Sequence, residues 1–85
     1  MSKHHVLKTW PEFFAAVADG AKTFEARKDD RGFSIGDTLV LCEYEPDGDR
    51  FTGRTLLVEV TYLLRGPAFG VESGFVVMAV RRVEP

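Results

Sequence analysis

Among the charged residues of the short segment DGAKTFEARKDDR, Asp19 to Arg31, three have a spacing that could do chemistry: Lys22, Glu25 and Arg27. Side chains two apart on an extended chain leave the same face, so Glu25 and Arg27 share a side. Lys22 lies just before them and can swing toward either. Arg27 offers a rigid planar fork suited to carboxylate or phosphate, and Lys22 offers a compact point charge. Glu25 between them can hold both cations in place, or accept a hydrogen from a base or a sugar hydroxyl. The plain reading is a solvated strand face, where ion pairs contribute only about 0–1 kcal/mol.

Other residues compete for attention. His4 and His5 are adjacent on a predicted strand and point to opposite faces, so they do not readily chelate one metal. For His5 a terminal surface or packing role is the ordinary reading. Trp10 can present a stacking face to a base, yet it also belongs to an apolar stripe. The stretch EYEPDGD carries four acids, Glu43, Glu45, Asp47 and Asp49. Nucleic acid is not expected to lie across it, and it lacks the ligand order of a calcium loop. No metal site and no cofactor are expected.

The elements that must position these residues follow from pattern. Thr9 with Glu12 three residues on fits a capping box, and Pro11 suits a first helical turn. Trp10, Phe13, Phe14 and Val17 form one apolar stripe. Gly20 is a natural helix stop. A helix is therefore predicted over about residues 10–19. HHVLK, residues 4–8, reads as a first strand. KTFEARK reads as a half-exposed strand with Phe24 and Ala26 on one face and Thr23, Glu25 and Arg27 on the other. TLVLCEYE, residues 38–45, and RTLLVEVTYLL, residues 54–64, are further strands on either side of the PDGD turn signal. Leu56, Val58, Val60 and Tyr62 should share a face. FVVMAVRRV is nearly continuous in apolar residues and should be buried on both faces until Arg81.

One helix and five strands in 85 residues give a mainly β, α+β domain with a thin core. A small five-stranded barrel fits best, because closure removes exposed strand edges. An open sheet with the helix on one face is the alternative. A net charge of −2 argues against a broad phosphate grip, though not against a small basic patch. No apolar run reaches the length of a membrane span, and MSKHHVLKTW lacks the apolar core of a signal peptide. With Cys42 as the only cysteine, there is no internal disulfide. A single domain over residues 1–85, monomeric and cytoplasmic, is the expectation.

The order Gly20-x-Lys22-x-x-Glu25-x-Arg27 resembles the GxKxxExR signature of the ASCH superfamily, a branch of the PUA-like β-barrels. The surroundings HVLKTWPEFF, GAKTFEARKDDRGFSIGDTLVL, VEVTYLL and GFVVMAV are similar to a small bacterial and phage family within it. The likeness covers about residues 4–80. It implies a PUA-like pseudo-barrel with a cleft beside the first helix, lined by Lys22, Glu25 and Arg27 and bordered by His5, and a ligand that is RNA or a modified nucleotide. Some members of that superfamily are acetylcytidine amidohydrolases, in which a threonine stands where this chain has Glu25. That departure argues against an enzyme. Three functions are thus in view. The first is an RNA- or nucleotide-binding module with salt-sensitive affinity. The second is a small hydrolase of a modified nucleoside using Lys22 and Glu25. The third is a protein-interaction accessory domain whose charges serve only the fold.

Overall fold

The computed structural model describes residues 2–83. Its backbone alternates strands with a single helix. The elements are β1 (His4–Thr9), α1 (Pro11–Ala18), β2 (Phe24–Lys28), β3 (Thr38–Glu45), β4 (Arg50–Arg65) and β5 (Phe75–Arg82). The strands form one mixed sheet in the order β1-β3-β4-β5-β2. The β1–β3 pair is parallel, and the other three pairs are antiparallel. Because α1 carries the chain from one sheet edge to the other, β1 and β2 are both edge strands. The sheet curls until these edges face each other, giving a half-barrel open along one seam.

Two arginines span that seam. Arg27 on β2 donates from Nη2 to the Lys8 carbonyl at 3.0 Å, and Arg31 donates to the Val6 carbonyl at 2.8 Å. Val6 and Lys8 are two apart, so their carbonyls leave the same edge of β1. Guanidinium groups thus occupy acceptors that a neighbouring strand would otherwise use, which also blunts the edge against foreign pairing.

Inside lie Leu7, Leu39, Leu41, Val58, Val60 and Met78, with Val76, Val80, Phe33 and Val17 around them. The fold class read from sequence holds: mainly β, one helix, five strands. Several local expectations do not. The helix starts at Pro11 with Trp10 as its cap residue and no side-chain cap bond. Thr9 is unavailable for a capping box because it is paired in β1 opposite Glu43 and points inward. Gly20, at φ +86°, ends the helical turn as expected. The apolar stripe divides: Phe14 and Val17 enter the core, while Trp10 and Phe13 stay outside.

The face of β2 is inverted. Phe24 is half exposed and Glu25 is only 3% exposed. Alternation fixes that the two faces differ but not which one is inside, and here two cations accompany the acid inward. β5 alternates rather than being buried on both sides: Val76, Met78 and Val80 face in, and Phe75 and Ala79 face out. Among the described residues, no second layer covers the outer surface of the half-barrel there. β4 runs longer than expected. A register shift between Val60 and Tyr62, the mark of a β-bulge, turns Tyr62 outward and places Leu63 against the core.

Among the described residues, no helix is long and apolar enough to cross a membrane.

Candidate functional site

The open seam and the one helix leave a cavity of about 410 Å³ where β1 ends and β2 begins. Its position follows from local sequence. The chain leaves β1 at Thr9, turns through Trp10 into α1, and returns through Gly20 into β2. Lys22 is held at that return, where its backbone N–H donates to the Ala16 carbonyl at 3.0 Å.

Lys22, Glu25 and Arg27 converge on the floor of this cavity. Lys22 Nζ donates to Glu25 Oε2 at 2.5 Å and to the Phe24 carbonyl at 2.8 Å. Arg27 Nε and Nη2 both donate to Glu25 Oε1 at 3.2 Å. Glu25 sits opposite Met78, and Arg27 opposite Val76; both partners are core residues, which confirms that this face of β2 looks inward. A carboxylate buried this deeply is tolerable because it is paired and hydrogen-bonded on both oxygens.

The walls are aromatic. Trp10 is 50% exposed and lies beside Phe13, with ring centroids 6.3 Å apart and planes 21° apart. Phe24, 49% exposed, stands across from them on β2. The Lys22 ammonium lies 4.9 Å from the Phe24 ring centroid and 5.9 Å from that of Phe13, a cation over π-faces. Ala26, Lys8 and Thr9 complete the lining. The Lys8 ammonium itself is directed to the Tyr44 ring, 4.4 Å from its centroid. Thr9 Oγ1 accepts from Arg27 Nη2 at 3.4 Å. Sequence reasoning missed this buried hydroxyl, since the capping box had claimed it. The inward places in the alternating strand Val6-Leu7-Lys8-Thr9 were the available signal.

His5 does not line the cavity. It lies toward the other end of β1, buried, with Nε2 2.8 Å from Asp37 Oδ2 and its ring 4.7 Å from that of Phe33. Asp37 also accepts from the backbone N–H groups of Lys3 and Ser34, each at 3.0 Å. Burial alone would raise the Asp37 pKa. The Lys3 amide, the His5 side chain and the Ser34 amide outweigh that and hold it below its ordinary 3.8. The expected border role of His5 therefore gives way to a packing role. The cause is an acid thirty-two residues away that takes up the imidazole. Among the described residues, no group of three or more His, Cys, Asp or Glu is placed to hold a metal ion.

What the site can do follows from its parts. It offers flat apolar faces for a planar ring and a polar floor that combines donors with a carboxylate. Its charge is that of two cations against one acid. The acids of the β3–β4 hairpin lie beyond Trp10, where Glu12, Glu45 and Asp47 line a separate groove.

The chain has relatives in sequence. Residues 4–80 match the family described as a domain of unknown function, DUF3850, and the chain belongs to that family. It is also similar to an "uncharacterized 12.9 kDa protein in GpA 3'region" of Escherichia phage P2, 39% identical over 61 residues. That match covers 72% of this chain and 54% of the phage protein, so the chain spans about half the length of that relative.

Proposed function

We propose that this domain binds RNA or a nucleotide, holding one base in the cleft between Trp10, Phe13 and Phe24. The observation that carries the reading is the joining of half-exposed aromatic walls to the Lys22–Glu25–Arg27 floor in one cavity. Trp10, Phe13 and Phe24 line the cavity and keep about half of their surface exposed, and base stacking on such faces contributes about 1–3 kcal/mol per base. The resemblance of the GxKxxExR segment to the ASCH superfamily, and to PUA-like domains beyond it, supports the same ligand class. Glu25 stands where the amidohydrolases of that superfamily have a hydroxyl, which favours binding over turnover.

The test is fluorescence anisotropy with labelled single-stranded RNA oligonucleotides of varied sequence, using wild type, Lys22→Ala and Arg27→Ala. Weaker binding by both variants, while their amide spectra stay folded, supports the proposal. Equal affinity of all three proteins across the panel overturns it and leaves the trio with a purely structural role.

A further inference from the structure

The polar groups on the cleft floor occur in a fixed order: cation, carboxylate, cation. What matters for a ligand is which of their bonding positions are still open. A lysine ammonium has three N–H donors, and Lys22 uses two, on Glu25 and on the Phe24 carbonyl. An arginine has five, and Nη1 of Arg27 has no acceptor among the described residues; its bonds come from Nε and Nη2. A carboxylate has about four lone-pair sites. Among the described residues, Glu25 Oε2 accepts from Lys22 alone, so it retains one. Taken in order from Lys22 through Glu25 to Arg27, the unused positions are a donor, an acceptor and a donor.

The complementary edge of a planar ring reads acceptor, donor, acceptor. That is an imide: two carbonyls flanking a ring N–H. Among the common nucleobases, uracil and thymine carry it. Cytosine and adenine place an exocyclic amine, itself a donor, against one of the cations. Guanine matches with its carbonyl and ring N–H but sets its amino group against the second cation. A mismatch of this kind buries a donor against a donor, which costs the full penalty of an unmade bond.

A phosphate fits the same floor poorly. It has no hydrogen for the open Glu25 lone pair and would face that carboxylate directly. One of the two cationic charges is already offset by Glu25, and the Lys8 ammonium is turned to Tyr44.

The geometry points to a specific ligand class, resting on the nucleotide reading above: the cleft recognises the imide edge of a uracil- or thymine-type ring stacked on Trp10 or Phe24, and the phosphate adds little. Electrostatic attraction of the backbone is then a minor part of the affinity, and the salt dependence is shallow.

The experiment is a titration of the intact chain with uridine, thymidine, cytidine, adenosine, guanosine, 3-methyluridine and uridine monophosphate, followed by backbone amide chemical shifts. Uridine and thymidine are expected to bind about tenfold or more tightly than the other three natural nucleosides. 3-Methyluridine keeps the ring and both carbonyls but loses the central N–H, and is expected to lose about tenfold. Uridine monophosphate is expected to match uridine. Equal affinity for all nucleosides, or for uridine and 3-methyluridine, overturns the inference. If oligonucleotides bind at the cleft with no preference for uracil, the imide inference fails and the RNA reading stands. If neither nucleosides nor oligonucleotides shift any cleft amide, both fall. Because the probes are ligand analogues, no result depends on a variant folding.

Discussion

The two ends of β1 each carry a buried carboxylate, and they use it differently. At the start, Asp37 takes hydrogen bonds from Lys3 N, Ser34 N and His5, and the Phe33 ring lies against the imidazole. At the far end, Glu25 takes bonds from Lys22 and Arg27 beneath a cavity walled by half-exposed aromatics. Both acids are nearly inaccessible to solvent. The difference lies in their partners. Asp37 is served by two backbone amides and one imidazole, which belong to the frame. Glu25 is served by two long side chains with donors to spare. Burial of an ionisable group therefore does not mark a site by itself; open bonding positions next to open space do.

The sharpest way to break this comparison is to remove Asp37. Asp37→Ala leaves two amides and an imidazole without their acceptor, at about 1–3 kcal/mol for each one that stays buried. Stability to urea should fall by about 3 kcal/mol or more, a large part of what a small domain has. Affinity of the molecules that remain folded should not change. Equal losses from Asp37→Ala and from cleft substitutions in a binding assay would erase the distinction between frame and site.

The same residue gives a pH signature. Its native pKa lies below the ordinary 3.8. The unfolded chain therefore binds the proton first as pH falls, and the group adds stability at every pH above 3.8. That contribution is lost progressively as pH drops from about 3.8 through the native value. Acid unfolding of wild type should steepen in this window, and Asp37→Asn should remove that part of the slope. Circular dichroism over roughly pH 2–6, which brackets the unfolded value and extends below it, reads it, with the Asn variant as reference.

Next in size is Lys22→Ala. If the trio lay on a solvated face, this change would leave the melting temperature untouched. With Glu25 at 3% exposure, it instead leaves Oε2 without a partner, and stability should fall by about 1–3 kcal/mol. A melting curve therefore cannot separate structural from binding roles for this residue; a ligand titration at a temperature where the variant is folded can. Loss of about tenfold in nucleoside affinity is expected there.

How far these features were legible in sequence depended on range. β3 was readable to its limits because Thr38–Glu45 is a β-rich run closed by a turn signal. The helix was readable because Pro11 and Gly20 punctuate it. The trio was readable because its members are local. The inward turn of Glu25 was not, because alternation is symmetric and the deciding energy is the pairing with Lys22 and Arg27. The outward turn of Tyr62 depended on a bulge, which hydrophobic pattern does not encode. The Arg27 and Arg31 bridges to β1 and the His5–Asp37 pair join residues 18 to 32 apart, and no spacing rule links them. Trp10 and Phe13 obeyed helical periodicity yet stayed outside, since the half-barrel covers only the Phe14–Val17 side of α1.

Trp10 offers a gentler probe of the cleft. It is the only tryptophan, so its fluorescence reports this site alone. Half exposed at the helix cap, it should cost less than about 1 kcal/mol of stability when replaced by alanine, in line with substitutions outside the core. Stacking loss should still weaken ligand binding by about tenfold. A Trp10→Ala variant that binds as wild type would shift the stacking role to Phe24.

The smallest effect should come from a residue that belongs to neither end cluster. Phe69 is 95% exposed, at the tip of a tight turn closed by Ala68 and Val71. Phe69 and Gly70 both have positive φ, +47° and +84°, as a type I′ turn requires. Glycine accepts that geometry freely, whereas a phenylalanine pays about 1 kcal/mol for it. Asn-Gly is the favoured pair for such turns. Phe69→Asn should therefore raise stability by about 0.5–1 kcal/mol and leave both the acid-unfolding slope and the nucleoside affinity unchanged. A fall in stability would mean that the ring has packing partners and that exposure misdescribes it. A fall in affinity would mean that the binding surface extends past the cleft, onto the loop between β4 and β5.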